Sequence, residues 1–490
     1  MPRIVMLALI GLIIGGCAKW KKRPEQARPR GHSAGAHVHT APATAPATEL
    51  EPGLGNHYHP TSTKSRLAQR FFDQGLTLYY GFNHDAAIRA FKRAAELDPN
   101  FAMAHWGIAL SLGPNYNMGM EPEAHKAALA SVQTAARLGV GAPQQERDYI
   151  AALEKRYSAD PKADLQKLNE AYAGAMRELM KKYPYDTDAA TLFAESMMDL
   201  RPWKLWTAEA KPEPGTLEIV AVLEDVLARD PEHIGANHFY IHAVEASEHP
   251  EKALVSAKRL PSLAPAAGHL VHMPAHVYQR IGNYDESAKV NEQAAKVDEV
   301  YLQNHPAPGV YSMMYYSHNL HFAAVAHAVQ GRFRDARSAS DQLYANVKPH
   351  LKEMGMLESF AVMPALIPVR CAQWDEALKV ARPEDDQLLC TAAYHFARGM
   401  ALAAKGNVDE AERERDEFLA VKKRLPKTAT WGSMAGTGDV LIVAQHLLEA
   451  KILSADGDHE AAVALLSRAV KEEDRLPYDE PPVWIIPTRE

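Results

Sequence analysis

Three stretches of this chain concentrate imidazole side chains: Asn237-His238-Phe239-Tyr240-Ile241-His242, His269-Leu270-Val271-His272-Met273-Pro274-Ala275-His276 and Ser317-His318-Asn319-Leu320-His321. Within each stretch the histidines fall three or four residues apart, which puts them on one face of a helix. His238 and His272 are 34 residues apart, and so are His242 and His276. Packed helices lie about 8–10 Å apart, so imidazoles from adjacent helices can meet on one ion at about 2.0–2.1 Å. Histidines joined by one or two carboxylates suit copper, iron, zinc or manganese, with the geometry deciding which. Without a bridging cation, seven crowded imidazoles would compete for few acceptors. The 23 histidines in the chain are an unusual number, roughly twice average usage.

The elements that must carry these histidines come from a repeat. Residues 68–101 hold Gly75, Ala87, Phe91, Ala94 and Pro99. Counted from Ala68, these are positions 8, 20, 24, 27 and 32. The pattern resembles the tetratricopeptide repeat, a helix-turn-helix unit of 34 residues. Small residues at positions 8 and 20 let two helices approach, a bulky residue at 24 fills between them, and Asp98-Pro99 ends the second helix. The two small positions recur at Ile241 and Ala253, Ala275 and Ser287, Ala324 and Ala336, Ala365 and Ala377, Gly399 and Ala411, and Ala450 and Ala462. Gly282-Asn283-Tyr284 and Gly331-Arg332-Phe333 mark turns within repeats. No stretch alternates as a strand would, and Trp431 to Gly438 reads as a loop between helices. The expectation is an all-α solenoid of stacked helix pairs.

In this frame His238, His272 and His321 take position 5, His242 and His276 position 9, and His269 and His318 position 2. The resemblance implies that positions 2, 5, 9, 12 and 13 of each first helix line a concave groove. Glu195 then falls at position 9, Asp199 at 13 and Glu245 at 12. The neighbouring repeats at Phe72 and Trp106, and at Ser359, Val362 and Leu366, carry no groove histidine, so the cluster is confined to three contiguous units. The expected function is transition-metal binding by all seven histidines, with copper, iron or zinc as the cofactor. As an enzyme the site would be a metal-dependent oxidoreductase or hydrolase, with Glu195 or Glu245 as the base. The alternatives are a scaffold that docks a protein partner in the groove and a metal-free small-molecule site using the imidazoles and Arg280. Repeat duplication could also have copied histidines that only hydrogen-bond between repeats.

Other residues read more plainly. His57 and His59 precede the first repeat and are expected in a linker. His105, His327, His395 and His446 fall at packing positions. Trp203, Trp206 and Tyr240 could wall a pocket, and Met313 to Tyr316 are expected to pack beside the site. Cys371 and Cys390 fall too far apart along neighbouring helices to form a disulfide. No Gly-rich phosphate loop follows a strand. The formal charge of −7 is mixed throughout, with no basic stripe to suggest nucleic acid.

The N-terminus points to export. Met1-Pro2-Arg3 precedes an apolar run from Ile4 to Ile14, too short to span a membrane, and then Gly15-Gly16-Cys17. Ile14-Gly15-Gly16-Cys17 resembles the lipobox of bacterial lipoproteins, which implies acylation of Cys17. Ala18 follows, with no aspartate for inner-membrane retention, so an outer-membrane location in the bacterial envelope is expected. The expected organisation is a signal over 1–17, a flexible tether over 18–65, the solenoid over 66–475 and a tail over 476–490.

Overall fold

A computed structural model describes residues 49–305, 311–432 and 434–490. The signal segment and Cys17 lie outside the described residues. Antiparallel helix pairs follow one another along the chain, beginning with Arg66–Tyr80 against His84–Leu97. The central pairs are Thr187–Met198 with Thr216–Arg229, Ile234–Val244 with Leu254–Leu263, Pro274–Arg280 with Tyr284–Asn304, and Ser317–Val329 with Phe333–Val347. The last is Thr437–Asp456 with His459–Glu473. Each helix packs on its partner and on the next pair. That stacking makes the chain an all-α solenoid of tetratricopeptide type.

The repeat positions explain why the pairs close. Ile241, Ala253, Ala275, Ser287, Ala324 and Ala336 are all fully buried where the two helices touch. At Gly75 there is no room for a side chain, because an added Cβ would sit 2.7 Å from the Phe91 ring. Gly282 (φ 78°) turns the chain in a conformation that L side chains avoid. Asn283 then caps the next helix by accepting from Glu286 N.

Three expectations need correction. Residues 49–65 are not a tether throughout: Leu54 and His59 are buried, and Ala266 N donates to Gly53 O at 2.9 Å. Residues 476–490 are not a tail. Val483, Trp484 and Ile485 are apolar and need cover, and they bury themselves, with the Trp484 ring 5.3 Å from Phe396 and 6.1 Å from Trp431. The loop after Thr430 contains a short antiparallel pairing, Thr430–Trp431 with Ala435–Gly436. Cys371 is half-buried, Cys390 is buried, and both are free thiols.

The apolar interior falls into two bodies. One runs from Leu54 to Tyr315 and the other from Ala295 to Ile485. Ile234–Val244, Gly268–His272 and Pro274–Arg280 pack in the first and Ser317–Val329 in the second. Replacing Gly75 with alanine is expected to overpack the Phe91 contact and destabilise the fold by about 1–3 kcal/mol. A lower urea midpoint with an unchanged slope is the outcome to look for.

Candidate metal centre

His238 and His242 lie on Ile234–Val244, His269 and His272 on Gly268–His272, His276 on Pro274–Arg280 and His318 on Ser317–Val329. Pro274, which has no N–H to donate, begins a new helix one residue after His272 ends the last. The expectation of an open groove fails. His238, His242, His269, His272 and His276 are only 0–1% exposed. Aromatic side chains close over them: Phe82 lies 4.6 Å from His238, Tyr116 5.3 Å from His242 and Tyr315 4.8 Å from His269, centroid to centroid.

The two nitrogens of each ring are used differently. His238 Nδ1 donates to Tyr80 O at 2.6 Å, which leaves Nε2 with a lone pair. That Nε2 faces His269 Nε2 at 3.1 Å. Asn291 donates its amide to Ser287 O at 2.7 Å, so its Oδ1 is the acceptor for His272 Nδ1, 2.6 Å away. His272 Nε2 faces His276 Nε2 at 2.8 Å. Glu245 reaches two rings, with Oε1 3.0 Å from His242 Nδ1 and Oε2 2.6 Å from His276 Nδ1. His242 Nε2 is buried with no hydrogen-bond partner. His238, His242 and His272 share an anchored Nδ1 and an inward Nε2, the arrangement by which outer acceptors orient metal-bound histidines; His269 Nδ1 has no such anchor.

Three overlapping groups result: His238, His242 and His269; His242, Glu245 and His276; and His272, His276 and His318. Within each, the ligand atoms lie within 4.8 Å of one another. Ligands bound at about 2.0–2.1 Å to one ion stand roughly 3 Å apart, and the facing Nε2 atoms match that at 3.1 and 2.8 Å.

Two of the expected site residues fall elsewhere. The His321 ring packs edge-on against Phe360, centroids 5.6 Å apart, and joins none of the three groups. Glu195 does not join the histidines. It accepts from Tyr79 OH and sits beside the buried Asp199–Arg156 ion pair, so it cannot be the base at this centre. Burial and the neighbouring Asp199 push its carboxyl up to about 8. Glu245 is present, but both of its oxygens face the outer nitrogens of histidines. It therefore orients rings instead of waiting as a base.

Glu480 was not legible beforehand. It comes from the C-terminal segment and closes on His276 Nδ1. It lies outside every repeat and has no periodic neighbour to mark it. Burial opposes the charged form of His276, but the carboxylates of Glu480 and Glu245 outweigh it and raise the imidazole to about 10. The same burial pushes the Glu480 carboxyl up to about 7. Burial, with repulsion from neighbouring rings, holds His238, His242, His269, His272 and His318 well below their usual 6.5.

A second cluster pins the N-terminal segment. His57 Nε2 lies 3.0 Å from Asp188 Oδ1, and His59 Nδ1 lies 2.7 Å from Oδ2. Tyr80 OH also donates to Asp188 Oδ1. The linker reading of His57 and His59 is therefore replaced by a latch. His233 completes it: its Nδ1 accepts from Ala236 N at 3.1 Å, so Nε2 carries the proton and points it at Asp188 Oδ1, 3.3 Å away. A ring in that tautomer donates a hydrogen bond and cannot ligate a metal through Nε2. The paired histidines in Asn56-His57-Tyr58-His59 were the available signal. The carboxylate partner was not.

No protein-family model and no curated protein sequence matches the chain. Among solved structures, the human IFIT1 dimer with m7Gppp-AAAA is 14% identical, over 84% of this chain and 91% of that one, with a TM-score of 0.37. Yeast Tom70 is 11% identical over 84% of this chain and 87% of its own, with a TM-score of 0.29. The APC/C hetero-tetramer Cut9–Hcn1 is 11% identical over 84% and 69%, with a TM-score of 0.34. The class of this protein, a tetratricopeptide-type helical solenoid, rests on its own helix pairs.

Two outcomes follow. Asp188→Asn is expected to cost about 3–5 kcal/mol by leaving the latch histidines unpaired, and to make residues 49–60 the first site of limited proteolysis. The pH dependence of the metal-free protein has two limbs. Histidines held below 6.5 contribute stability that is lost as pH falls through 6.5, because the unfolded chain then binds more protons. His276 contributes stability that is complete below 6.5 and is lost as pH rises through about 10. Thermal midpoints are expected to peak near pH 6.5, and His272→Ala should flatten the acidic limb.

Proposed function

We propose that this protein binds transition-metal ions, copper, iron or zinc, through His238, His242, His269, His272, His276 and His318. The observation that carries this reading is the pair of facing Nε2 atoms of His272 and His276, 2.8 Å apart, with His272 Nδ1 held by Asn291 Oδ1 and His276 Nδ1 ion-paired to Glu245 Oε2 at 2.6 Å. In the metal-free protein the His276 Nε2 proton bridges this gap, and an ion shared by both nitrogens would take its place. Neutral imidazoles at the inner positions and carboxylates at the outer ones favour copper, iron or zinc over magnesium or calcium, which take oxygen ligands. When bound, the metal would supply Lewis-acid or redox chemistry. The chain's own residues orient the rings, exclude water and hold a proton at His276. The burial of His238, His242, His269, His272 and His276 speaks against a protein partner docked on those five, because docking needs them at a surface.

The lipobox around Cys17 supports an exported, lipid-anchored protein of the bacterial envelope. No helix among the described residues is long and apolar enough to cross a membrane.

The test is metal content after separate loading with zinc, copper and iron, followed by desalting. Stoichiometric metal is expected in the wild type and is lost in a His272→Ala, His276→Ala double variant. Glu245→Gln should weaken affinity about 10–100-fold, as removal of an orienting partner does. If imidazole nitrogens hold the ion, X-ray absorption will show nitrogen neighbours at about 2.0–2.1 Å. Absence of stoichiometric metal from wild type and variant alike would leave the proton on His276 as the cation the carboxylates hold, and the metal reading would fall.

A further inference from the structure

The six clustered histidines divide into two sets of three that share no residue. His238, His242 and His269 form one triad, and His272, His276 and His318 form the other. Each triad has its own facing pair. His238 Nε2 meets His269 Nε2 at 3.1 Å, and His272 Nε2 meets His276 Nε2 at 2.8 Å. Nitrogens bound to one ion at about 2.0–2.1 Å stand no more than roughly 4 Å apart. Among the described residues the two facing pairs do not merge into one such group. One ion can therefore serve one triad, and the second triad is left with an equivalent set of ligands.

The triads lie side by side. The His242 ring is 5.3 Å from His276, and the His269 ring is 5.7 Å from His272, centroid to centroid. Glu245 ties them together, with Oε1 3.0 Å from His242 Nδ1 and Oε2 2.6 Å from His276 Nδ1. One carboxylate thus holds the outer nitrogen of one ring in each triad. Three imidazoles with no carboxylate among them suit copper or zinc better than iron, whose open sites add a carboxylate. Three protein ligands leave a fourth position open on each ion. In two-metal sites that position is shared by a bridging ligand. Phe82 packs 4.6 Å from His238, Tyr315 4.8 Å from His269 and Phe322 4.8 Å from His272. Rings packed so closely restrict a bridging ligand to about the size of hydroxide. His318 is partly exposed and connects the interior to solvent.

We propose that these histidines form a dinuclear centre, with one copper or zinc ion in each triad and hydroxide bridging the two. The inference rests on the metal-binding reading and goes beyond it in the number and arrangement of the ions.

Elemental analysis and electron paramagnetic resonance of the full chain make the test, with zinc(II) and copper(II) as probes and desalting after loading. Two ions per chain are expected from either metal. His238→Ala with His269→Ala, and separately His272→Ala with His318→Ala, should each lower the count to one, with helical circular dichroism showing that both variants fold. His242 and His276 stay in place in these variants, because both hold Glu245 and loss of either disturbs both triads. Hydroxide-bridged copper(II) ions pair their spins. The copper-loaded wild type should therefore show less than half of its copper as paramagnetic signal, and each one-ion variant nearly all of it. One ion per chain in the wild type overturns the dinuclear proposal and leaves the metal reading standing. No bound ion in the wild type sinks both. Two copper ions with full signal lie apart, and a count of two that neither folded variant lowers puts the ions elsewhere; either result overturns the proposal.

Discussion

A buried imidazole has two nitrogens, and each needs a partner of the right kind. That requirement governs the centre of this protein. Tyr80 O, Asn291 Oδ1 and Glu245 Oε1 take the Nδ1 protons of three rings, those of His238, His272 and His242. Once those protons are committed, the inward nitrogens of these three rings are lone pairs. The rings cannot swing away without abandoning a buried acceptor. The inner nitrogens are therefore held in place by acceptors outside the cluster. Asn291 shows how far the constraint reaches. Its own amide must be held by Ser287 O before its oxygen can fix His272.

The two ends of the described chain complete this interior. Residues 49–65 are pinned where His57 and His59 meet Asp188, and Tyr80 serves both places. Its hydroxyl donates to Asp188 while its carbonyl accepts from His238. The latch and the histidine cluster are thus joined through one residue of the first helix. At the other end Trp484 packs on Phe396 and Trp431, which holds Glu480 against His276. Apolar burial of Val483, Trp484 and Ile485 offsets the cost of bringing a carboxylate inside.

Much of the fold was legible because repeats are local. Gly75 and Phe91, Ala275 and Ser287, and Ala324 and Ala336 lie 12 or 16 residues apart in one unit, so spacing alone predicts their contact. The histidines of equivalent repeat positions were legible for the same reason. His321 was misplaced because a position number sets a helix face but not a rotamer, and Phe360 of the next unit captured its ring. Glu195 was misplaced because Tyr79, 116 residues away, and the buried Arg156–Asp199 pair draw it into their own network.

The amino-acid sequence by itself determined the helix pairs, their stacking and which stretches bring six of the seven named histidines together. These depend on side chains a fixed number of residues apart, which helical geometry turns into neighbours. Only the tertiary structure decided which nitrogen of each ring faces inward, that five of the histidines are buried while His318 stays partly exposed, and that Glu480 joins them and Asp188 the latch. Those outcomes rest on contacts between segments more than a hundred residues apart, such as His59 with Asp188 and Tyr80 with His238. No periodicity records such pairs, because burial, not spacing, selects them.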